Sequence, residues 1–205
     1  MLKKRWLAFA AAGLGSVLTA TPAGAQAAAA AQEAKPTTGQ VGEKIPAFTA
    51  KIARGDKSAD FDTTKNAKTT LYVLVGPTCP ATAPYVDRLA ALEAAYIPKG
   101  IDFVYVYPNK GPGESAADKA KYHKDKKFTA ALLNDEGAAF TKKLAAMKTG
   151  EALIVDKDGK VVYRGGIDDN RDNAAKVKSK HIAQALDEIL AGKAVSKASN
   201  HDVFG

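Results

Sequence analysis

The sequence has only one cysteine, Cys79, among its 205 residues. A single cysteine excludes a disulfide bond within the chain, so the thiol is a structural side chain, half of an intermolecular disulfide, or a reactive group. The three histidines, His123, His181 and His201, are scattered and no pair has metal-ligand spacing, so we expect surface positions for them and no metal site. The sequence also predicts no cofactor.

Long apolar runs are scarce too. The one at residues 6–18 follows three basic residues and precedes a small-x-small sequence, which is typical of a signal peptide. At about 13 residues, this run is too short to span a bilayer comfortably. We therefore expect residues 1–25 to be a signal peptide, cleaved before Gln26, and the protein to be periplasmic or secreted, with no membrane contact after cleavage. The alternative is an uncleaved N-terminal anchor.

The charge balance predicts no nucleic-acid partner. Cleavage of the signal peptide takes three basic residues and no acidic one from a net charge of +8, leaving about +5. Residues 118–127 contain five lysines, but they also contain two aspartates, which favours a solvated helix face over a site for an anionic partner. No basic–aromatic interleaving is present.

Composition and patterning divide the chain into four parts. We expect a signal peptide at 1–25, a flexible Ala/Pro/Thr-rich leader at 26–40, one domain at 41–192 and an irregular C-terminal tail at 193–205.

Within the domain, strands and helices alternate. The pattern predicts one or two short edge strands within 41–61, strands at 69–75, 101–109 and 129–135, and a hairpin at 151–168. It also predicts helices at 83–100, 136–147 and 180–192, and one more that begins near residue 115. Ser115 is a candidate helix N-cap. Alternating units favour a parallel sheet, to which the hairpin adds an antiparallel edge.

Cys79 lies between the predicted strand 69–75 and the predicted helix 83–100. Pro80 follows it, and proline favours the first helical turn, so we expect Cys79 at or next to the helix N-cap. There the thiolate would face unpaired backbone N–H groups and the positive end of the helix dipole, both of which lower a thiol pKa. Pro84 predicts a kink in the same helix.

These features resemble the thioredoxin fold and, more narrowly, its redoxin branch, which includes peroxiredoxins and the alkyl hydroperoxide reductase/thiol-specific antioxidant family. The segments VGEKIPAF (41–48), KGIDFVYVYPN (99–109) and DKDGKVVYRGGIDD (156–169) are similar to parts of that family. The resemblance covers about residues 41–192. It implies an α/β, three-layer thioredoxin-like fold, whose central mixed sheet ends in a C-terminal β-hairpin and is flanked by helices.

The resemblance also implies roles for individual residues. Pro84 aligns Cys79 with the second cysteine of a Cys-x-x-Cys pair and Gly76 with the first, so exchange within such a pair is impossible here. The peroxidatic cysteine of peroxiredoxins occupies the same second position and precedes a proline, as Cys79 does. Cys79 would then attack a peroxide or disulfide substrate, while Arg164 and the N–H groups near Thr78 stabilise the developing charge, and an external thiol would reduce the product.

Two functions remain open at this point. The first is a single-cysteine thiol-dependent oxidoreductase that acts as a peroxidase through Cys79. The second is a thioredoxin-fold binding or assembly module that has lost its redox pair. Gly76 stands at the first-cysteine position, where peroxiredoxins carry threonine, and glycine stands in the segment 148–151 where a cis-proline is expected. These differences favour the second function, whereas the match of Cys79-Pro80 to the peroxidatic position favours the first, which is the function that we expect.

Overall fold

The computed structural model describes residues 39–65, 67–146, 148–199 and 203. All of them belong to the unit that spans Lys35–Gly205. The predicted signal peptide, most of the predicted leader and His201 lie outside the described residues. Within the described ranges, no helix is both long and apolar enough to cross a bilayer.

A seven-stranded mixed sheet organises the domain. Its strands are β1 (Thr49–Arg54), β2 (Lys57–Asp62), β3 (Thr70–Leu74), β4 (Asp102–Tyr107), β5 (Ala131–Asn134), β6 (Ala152–Val155) and β7 (Val161–Gly165). They lie in the order β2-β1-β5-β4-β3-β6-β7. The three central strands β5, β4 and β3 are parallel, whereas the N-terminal and C-terminal hairpins are antiparallel. The predicted central mixed sheet with a C-terminal hairpin is therefore present.

Each face of the sheet carries its own apolar cluster, because side chains alternate along a strand. In β3, Leu71 and Val73 pack with side chains of the first and last helices, whereas Tyr72 and Leu74 pack on the opposite face with Phe140. All of β3 is buried. Burial on both faces explains why its sequence is continuously apolar rather than alternating.

In the part of the chain that the structure describes, four α-helices flank the sheet, namely α1 (Val86–Tyr96), α2 (Ala116–Asp125), α3 (Ala139–Lys143) and α4 (His181–Leu190). Ser115 is the N-cap of α2, as predicted, and forms a capping box with Asp118. A 3-10 turn extends α1 to Gly100, whose φ of 92° suits a left-handed helix end.

The helix after Cys79 begins later than the sequence predicts. The carbonyl of Cys79 accepts from Thr82 N, and the carbonyl of Thr82 accepts from Tyr85 N, so this segment forms successive three-residue turns. Pro84 cannot donate the N–H that an α-helix would direct to the carbonyl of Pro80. Cys79 is therefore not at the N-cap of an α-helix, and Pro84 precedes α1 instead of kinking it.

The helix predicted at 136–147 is also shorter, because Gly137 and Ala138 adopt positive φ values of 68° and 55°. The buried carboxylate of Asp135 spans this break and accepts from the N–H groups of Phe140 and Thr141. Helix α3 consequently begins at Ala139 and has five residues.

Three residues expected at the surface are buried, namely Lys119, His123 and His181. Lys119 donates through Nζ to the carbonyls of Tyr107 and Asn109 and to Asn134 Oδ1. His123 lies between the Tyr107 hydroxyl and the Ala130 carbonyl. In each of these two cases, polar partners inside the fold offset the cost of burial, which residue type alone cannot reveal.

The outer edge of β7 is covered by the two ends of the described chain. Gly42 N donates to the Val161 carbonyl, and Val161 N donates to the Glu43 carbonyl. Farther along, Arg164 N donates to the carbonyl of Ala198, in a tail segment, 193–199, that contains no helix or strand. This coverage pairs a sheet edge that would otherwise present free backbone groups.

Candidate functional site

Cys79 lies at the carboxyl edge of the parallel strands, where substrate sites in α/β folds commonly form. Strand β3 ends at Leu74, and the following loop turns at Gly76, whose carbonyl accepts from Cys79 N at 3.2 Å. The buried hydroxyl of Thr82 accepts from Gly76 N at 3.2 Å and closes the loop. The thiol is free and partly exposed, so a small reagent can reach it.

The thiol has a hydroxyl partner from a distant part of the chain. Cys79 Sγ lies 2.8 Å from Thr149 Oγ1. The next residue, Gly150, adopts a φ of 88° and donates its N–H to the Leu74 carbonyl at 2.7 Å. The backbone carbonyl of Glu151 accepts from Leu74 N at 3.0 Å. The segment before β6 is therefore fixed to the end of β3, and Thr149 is held against the cysteine.

The described residues contain no cis peptide bond. The glycine at the position where the resemblance leads us to expect a cis-proline has a left-handed conformation instead, which glycine adopts without a steric penalty. The loop thus reaches Cys79 through a different backbone geometry and presents a threonine side chain.

Thr78 is hydrogen-bonded to a buried glutamate, Glu114. Its N–H and its hydroxyl both donate to Glu114 Oε1, at 3.0 and 2.6 Å. Glu114 is 5% exposed. The Thr78 N–H group is therefore already paired in this structure, and the same is true of the Cys79 N–H.

Gly76 is in close contact with the loop after β4. A Cβ atom at this position would lie 2.3 Å from Asn109 Nδ2 and 3.3 Å from Cys79 Cβ. The Asn109 amide therefore occupies the space that a side chain would need at residue 76, which aligns with the first cysteine of a Cys-x-x-Cys motif.

Arg164 lies on β7 and forms an ion pair with Glu151, with 2.7 Å between Nε and Oε1. The side chains are 11% and 9% exposed. The guanidinium also donates to the carbonyls of Leu144, Ala145 and Gly39. These contacts attach Arg164 to the segment that carries Thr149, two residues from Glu151. A direct role of Arg164 at the thiolate stays a prediction.

Tyr122 of α2 lies within electrostatic range of Cys79 and of Glu114, and Lys119 of the same helix lies within range of Glu114. Burial raises the pKa of Tyr122, and the negative charges of Cys79 and Glu114 raise it further. Burial lowers the pKa of Lys119, while nearby carboxylates, Glu114 first, oppose the shift. Glu114 therefore lies within electrostatic range of both side chains.

The carboxylate of Asp168, in the loop after β7, is paired within the fold. Asp168 is 3% exposed and accepts from Arg88 Nη1 at 2.6 Å and from Asn170 N at 3.0 Å. Arg88 also lies 4.3 Å above the centre of the Tyr85 ring. Across the described ranges, no group of three or more His, Cys, Asp or Glu side chains could hold a metal ion.

Three site residues were predicted from the sequence. Thr78 and Cys79 are adjacent, whereas Arg164 contacts Glu151 and the backbone carbonyls named above. The structure adds Thr149, Glu114 and Asn109. The position of Thr149 had a sequence signal, because segment 148–151 aligns with the loop that faces the cysteine. Glu114 had no such signal, since 36 residues separate it from Thr78.

Comparisons with known proteins agree with this fold. A family model described as Redoxin matches residues 40–180. None of the curated proteins matches the chain.

Solved structures include an uncharacterised conserved protein from Geobacillus kaustophilus, with 27% identity and a TM-score of 0.71 over 79% of this chain and 88% of the other. A hypothetical protein from Sinorhizobium meliloti 1021 has 21% identity and a TM-score of 0.69 over 78% and 89% of the two chains. The thioredoxin domain of a thiol-disulfide oxidoreductase from Bacteroides vulgatus has 19% identity and a TM-score of 0.50 over 61% and 87%. The predicted thioredoxin-like fold is thus confirmed.

Proposed function

The chain belongs to the Redoxin family, and from that premise we propose that it is a thiol-dependent oxidoreductase that reduces peroxides through Cys79. The observation that carries the proposal is the contact between Cys79 Sγ and the Thr149 hydroxyl, 2.8 Å apart at the carboxyl edge of the sheet. A partly exposed thiol with a fixed hydroxyl partner is both accessible and oriented, which a nucleophile requires.

The reaction begins with attack of the Cys79 thiolate on one oxygen of a hydroperoxide. A sulfur–oxygen bond forms and the oxygen–oxygen bond breaks. The released alkoxide, or hydroxide when the substrate is hydrogen peroxide, takes a proton from solvent to become an alcohol or water. Cys79 is oxidised to a sulfenic acid. The Thr149 hydroxyl can donate to the thiolate before attack and keeps the sulfur in one orientation.

Regeneration needs two external thiols, because Cys79 is the only cysteine in the sequence. The first thiol attacks the sulfenic sulfur, releases water and forms a mixed disulfide. The second attacks that disulfide on the sulfur of the first thiol, returns Cys79 to the thiol and leaves as an external disulfide. A partner disulfide could replace peroxide as the oxidant and would give the same mixed disulfide.

Export is part of the proposal and is based on the charged and apolar pattern of residues 1–25. N-terminal sequencing of the protein from the periplasm or culture medium should give Gln26 as the first residue. Recovery of a chain that still begins at Met1, in the cytosol, would contradict it.

The central test follows peroxide consumption together with mass spectrometry of the Cys79 peptide. Mild hydrogen peroxide should give sulfenic acid or, with an added thiol, a mixed disulfide, and excess peroxide should give sulfinic acid. Cys79→Ser should abolish peroxide consumption and retain the fold, since the two side chains are nearly the same size. A thiol that stays reduced under conditions that oxidise free cysteine would overturn the peroxidase proposal.

A second candidate is a binding or assembly module without redox activity. The pairing of Thr78 with Glu114 favours it, because the hydroxyl and N–H that could contact a peroxide are already engaged. The first-cysteine position is also glycine. This candidate predicts that Cys79→Ser leaves every interaction of the protein unchanged, and that Cys79 remains reduced in the peroxide experiment.

A further inference from the structure

The buried carboxylate of Glu114 holds the residue next to Cys79 at two points. One oxygen, Oε1, accepts both the N–H of Thr78 at 3.0 Å and its hydroxyl at 2.6 Å. Hydrogen bonds to an ionised acceptor are shorter and stronger than neutral ones. The main chain and side chain of Thr78 therefore cannot rotate independently while Glu114 stays in place.

The loop that carries Glu114 is shaped to fit against Thr78. Gly113 has a φ of 75°, and a Cβ atom there would lie 2.8 Å from Thr78 Cγ2. Glu114 N donates to the carbonyl of Gly111, another glycine with positive φ, which closes the turn. Two glycines thus allow the loop after β4 to approach the cysteine loop and to bury a glutamate between them.

We propose that Glu114 is a positioning residue for Cys79, which fixes Thr78 so that the Cys79 thiol remains within reach of the Thr149 hydroxyl. This proposal rests on the function of Cys79 as a nucleophile. Thr149 is itself fixed through Gly150 to the end of β3, so the sulfur–hydroxyl contact needs both loops to be held. Glu114 fixes the loop that carries Cys79 through its two hydrogen bonds with Thr78.

The same pair of hydrogen bonds, from a threonine N–H and hydroxyl to one glutamate oxygen, occurs elsewhere in the protein at a threonine with no cysteine beside it. Glu93 Oε2 accepts from Thr129 N at 2.8 Å and from Thr129 Oγ1 at 2.7 Å. Glu93 is 3% exposed. Thr129 precedes β5 and therefore lies at the amino edge of the parallel strands, opposite to Cys79. Glu93 is therefore a matched control, because it makes the same hydrogen bonds and is similarly buried but lies at the edge of the sheet opposite to Cys79.

The test measures, in the full chain at one neutral pH, the rate constants for reaction of Cys79 with hydrogen peroxide and, separately, with iodoacetamide. Glu114→Ala should lower both rate constants by about fivefold or more, because the loss of one hydrogen bond at the sulfur, about 1 kcal/mol, changes a rate by about that factor. Glu114→Gln should recover to within about threefold of the wild-type rates, because the amide oxygen can accept both bonds from Thr78. Glu93→Ala should lower stability to a similar degree and leave both rates within about twofold.

Several outcomes would overturn the positioning role. Rates for Glu114→Ala within about twofold of wild type would do so, and so would an equal slowing in Glu93→Ala. If Glu114→Ala fails to fold, Thr78→Val takes its place, since valine keeps the N–H bond and loses the hydroxyl bond. It should slow both reactions by about two- to threefold, and an unchanged rate would overturn the role.

The two reagents separate this inference from the proposed function. Failure of the wild-type protein to react with peroxide would count against the peroxidase. The iodoacetamide series would still test whether Glu114 positions the thiol.

Discussion

Cys79 Sγ and Thr149 Oγ1 lie 2.8 Å apart although 70 residues separate them in the sequence. The contact joins the loop after β3 to the segment that leads into β6, so it forms only in the folded protein. Because β3 and β6 pair antiparallel, the end of β3 and the start of β6 lie side by side at the edge of the sheet that carries the thiol.

Thr149→Val tests this contact directly. Valine has nearly the same shape as threonine but no hydroxyl, so the variant should react with hydrogen peroxide about fivefold more slowly, in line with a hydrogen bond of about 1 kcal/mol. Stopped-flow measurement of peroxide reduction gives the rate. Thr69→Val, at the opposite end of β3, is the control and should react like the wild type. An unchanged rate for Thr149→Val would show that the contact has no role at the thiol.

Arg164→Ala should lower the free energy of unfolding by about 3–5 kcal/mol, because the buried Glu151 carboxylate would lose the guanidinium with which it forms an ion pair. Denaturant unfolding measures the loss. The double variant Arg164→Met/Glu151→Gln removes both charges and should recover part of it. If Arg164→Ala is as stable as the wild type but reacts more slowly at Cys79, then Arg164 acts at the thiolate and not through the loop.

Lys119 and Lys121 lie on the same helix and offer a matched pair. Lys119→Met removes the Nζ donor from three oxygen acceptors. The Tyr107 carbonyl is buried and still accepts from Asp135 N, whereas the Asn109 carbonyl and Asn134 Oδ1 are partly buried. The change should cost about 1–3 kcal/mol of stability. Lys121 is exposed and pairs with Asp125 on the surface. Lys121→Met should therefore change stability by less than about 0.5 kcal/mol. Similar losses in both variants would mean that the Lys119 contacts contribute little.

The positions of the central strands could be predicted from the sequence because buried parallel strands leave continuous apolar runs such as residues 69–75. The delayed start of α1 could also have been found, since Pro84 lies four residues after Pro80 and removes the bond that would connect them. The burial of Lys119 could not, because helical spacing does not show which lysine faces the oxygens at the ends of β4 and β5.

The candidate site was predicted only in part for the same reason. Cys79 and its loop follow from local sequence, whereas the partners of the loop come from distant segments. Thr149 lay in a segment that the resemblance placed near the cysteine, but its side chain had no signal of its own. The bond between Thr78 and Glu114 depends on the positive φ of Gly113, which only the folded backbone displays.

Stability should fall as the pH decreases below about 6.5, partly because of His123. Burial lowers the pKa of His123 in the folded protein, although the Ala130 carbonyl and Glu93 oppose the shift. Below the ordinary pKa of histidine, near 6.5, the unfolded chain binds a proton that the folded chain does not, so unfolding becomes easier. The stability that neutral His123 contributes is fully present above this pH. It is lost as the pH falls toward the lower pKa of His123 in the folded protein, by up to about 1.4 kcal/mol per pH unit.

Urea unfolding at pH 8 and pH 5.5 measures this effect, with His123→Gln as the comparison. The variant has no titrating group at this position and should lose less stability between the two pH values than the wild type. An equal loss in both proteins would assign the pH dependence to other groups.

Gly76→Ala should destabilise the protein by about 1–3 kcal/mol, because the new methyl group would overlap the Asn109 amide, whose Nδ2 would lie 2.3 Å from it. The φ of Gly76 is not among the positive values, so backbone strain adds nothing and the cost comes from this contact. Asn109→Ala removes the overlapping atoms. The double variant should therefore be more stable than the sum of the single changes predicts, by about 0.5–3 kcal/mol in a double-mutant cycle. Additive changes would show that Asn109 does not limit the space at Gly76. Non-additive changes would also identify Asn109→Ala as the background in which Gly76→Cys could rebuild a Cys-x-x-Cys pair with Cys79.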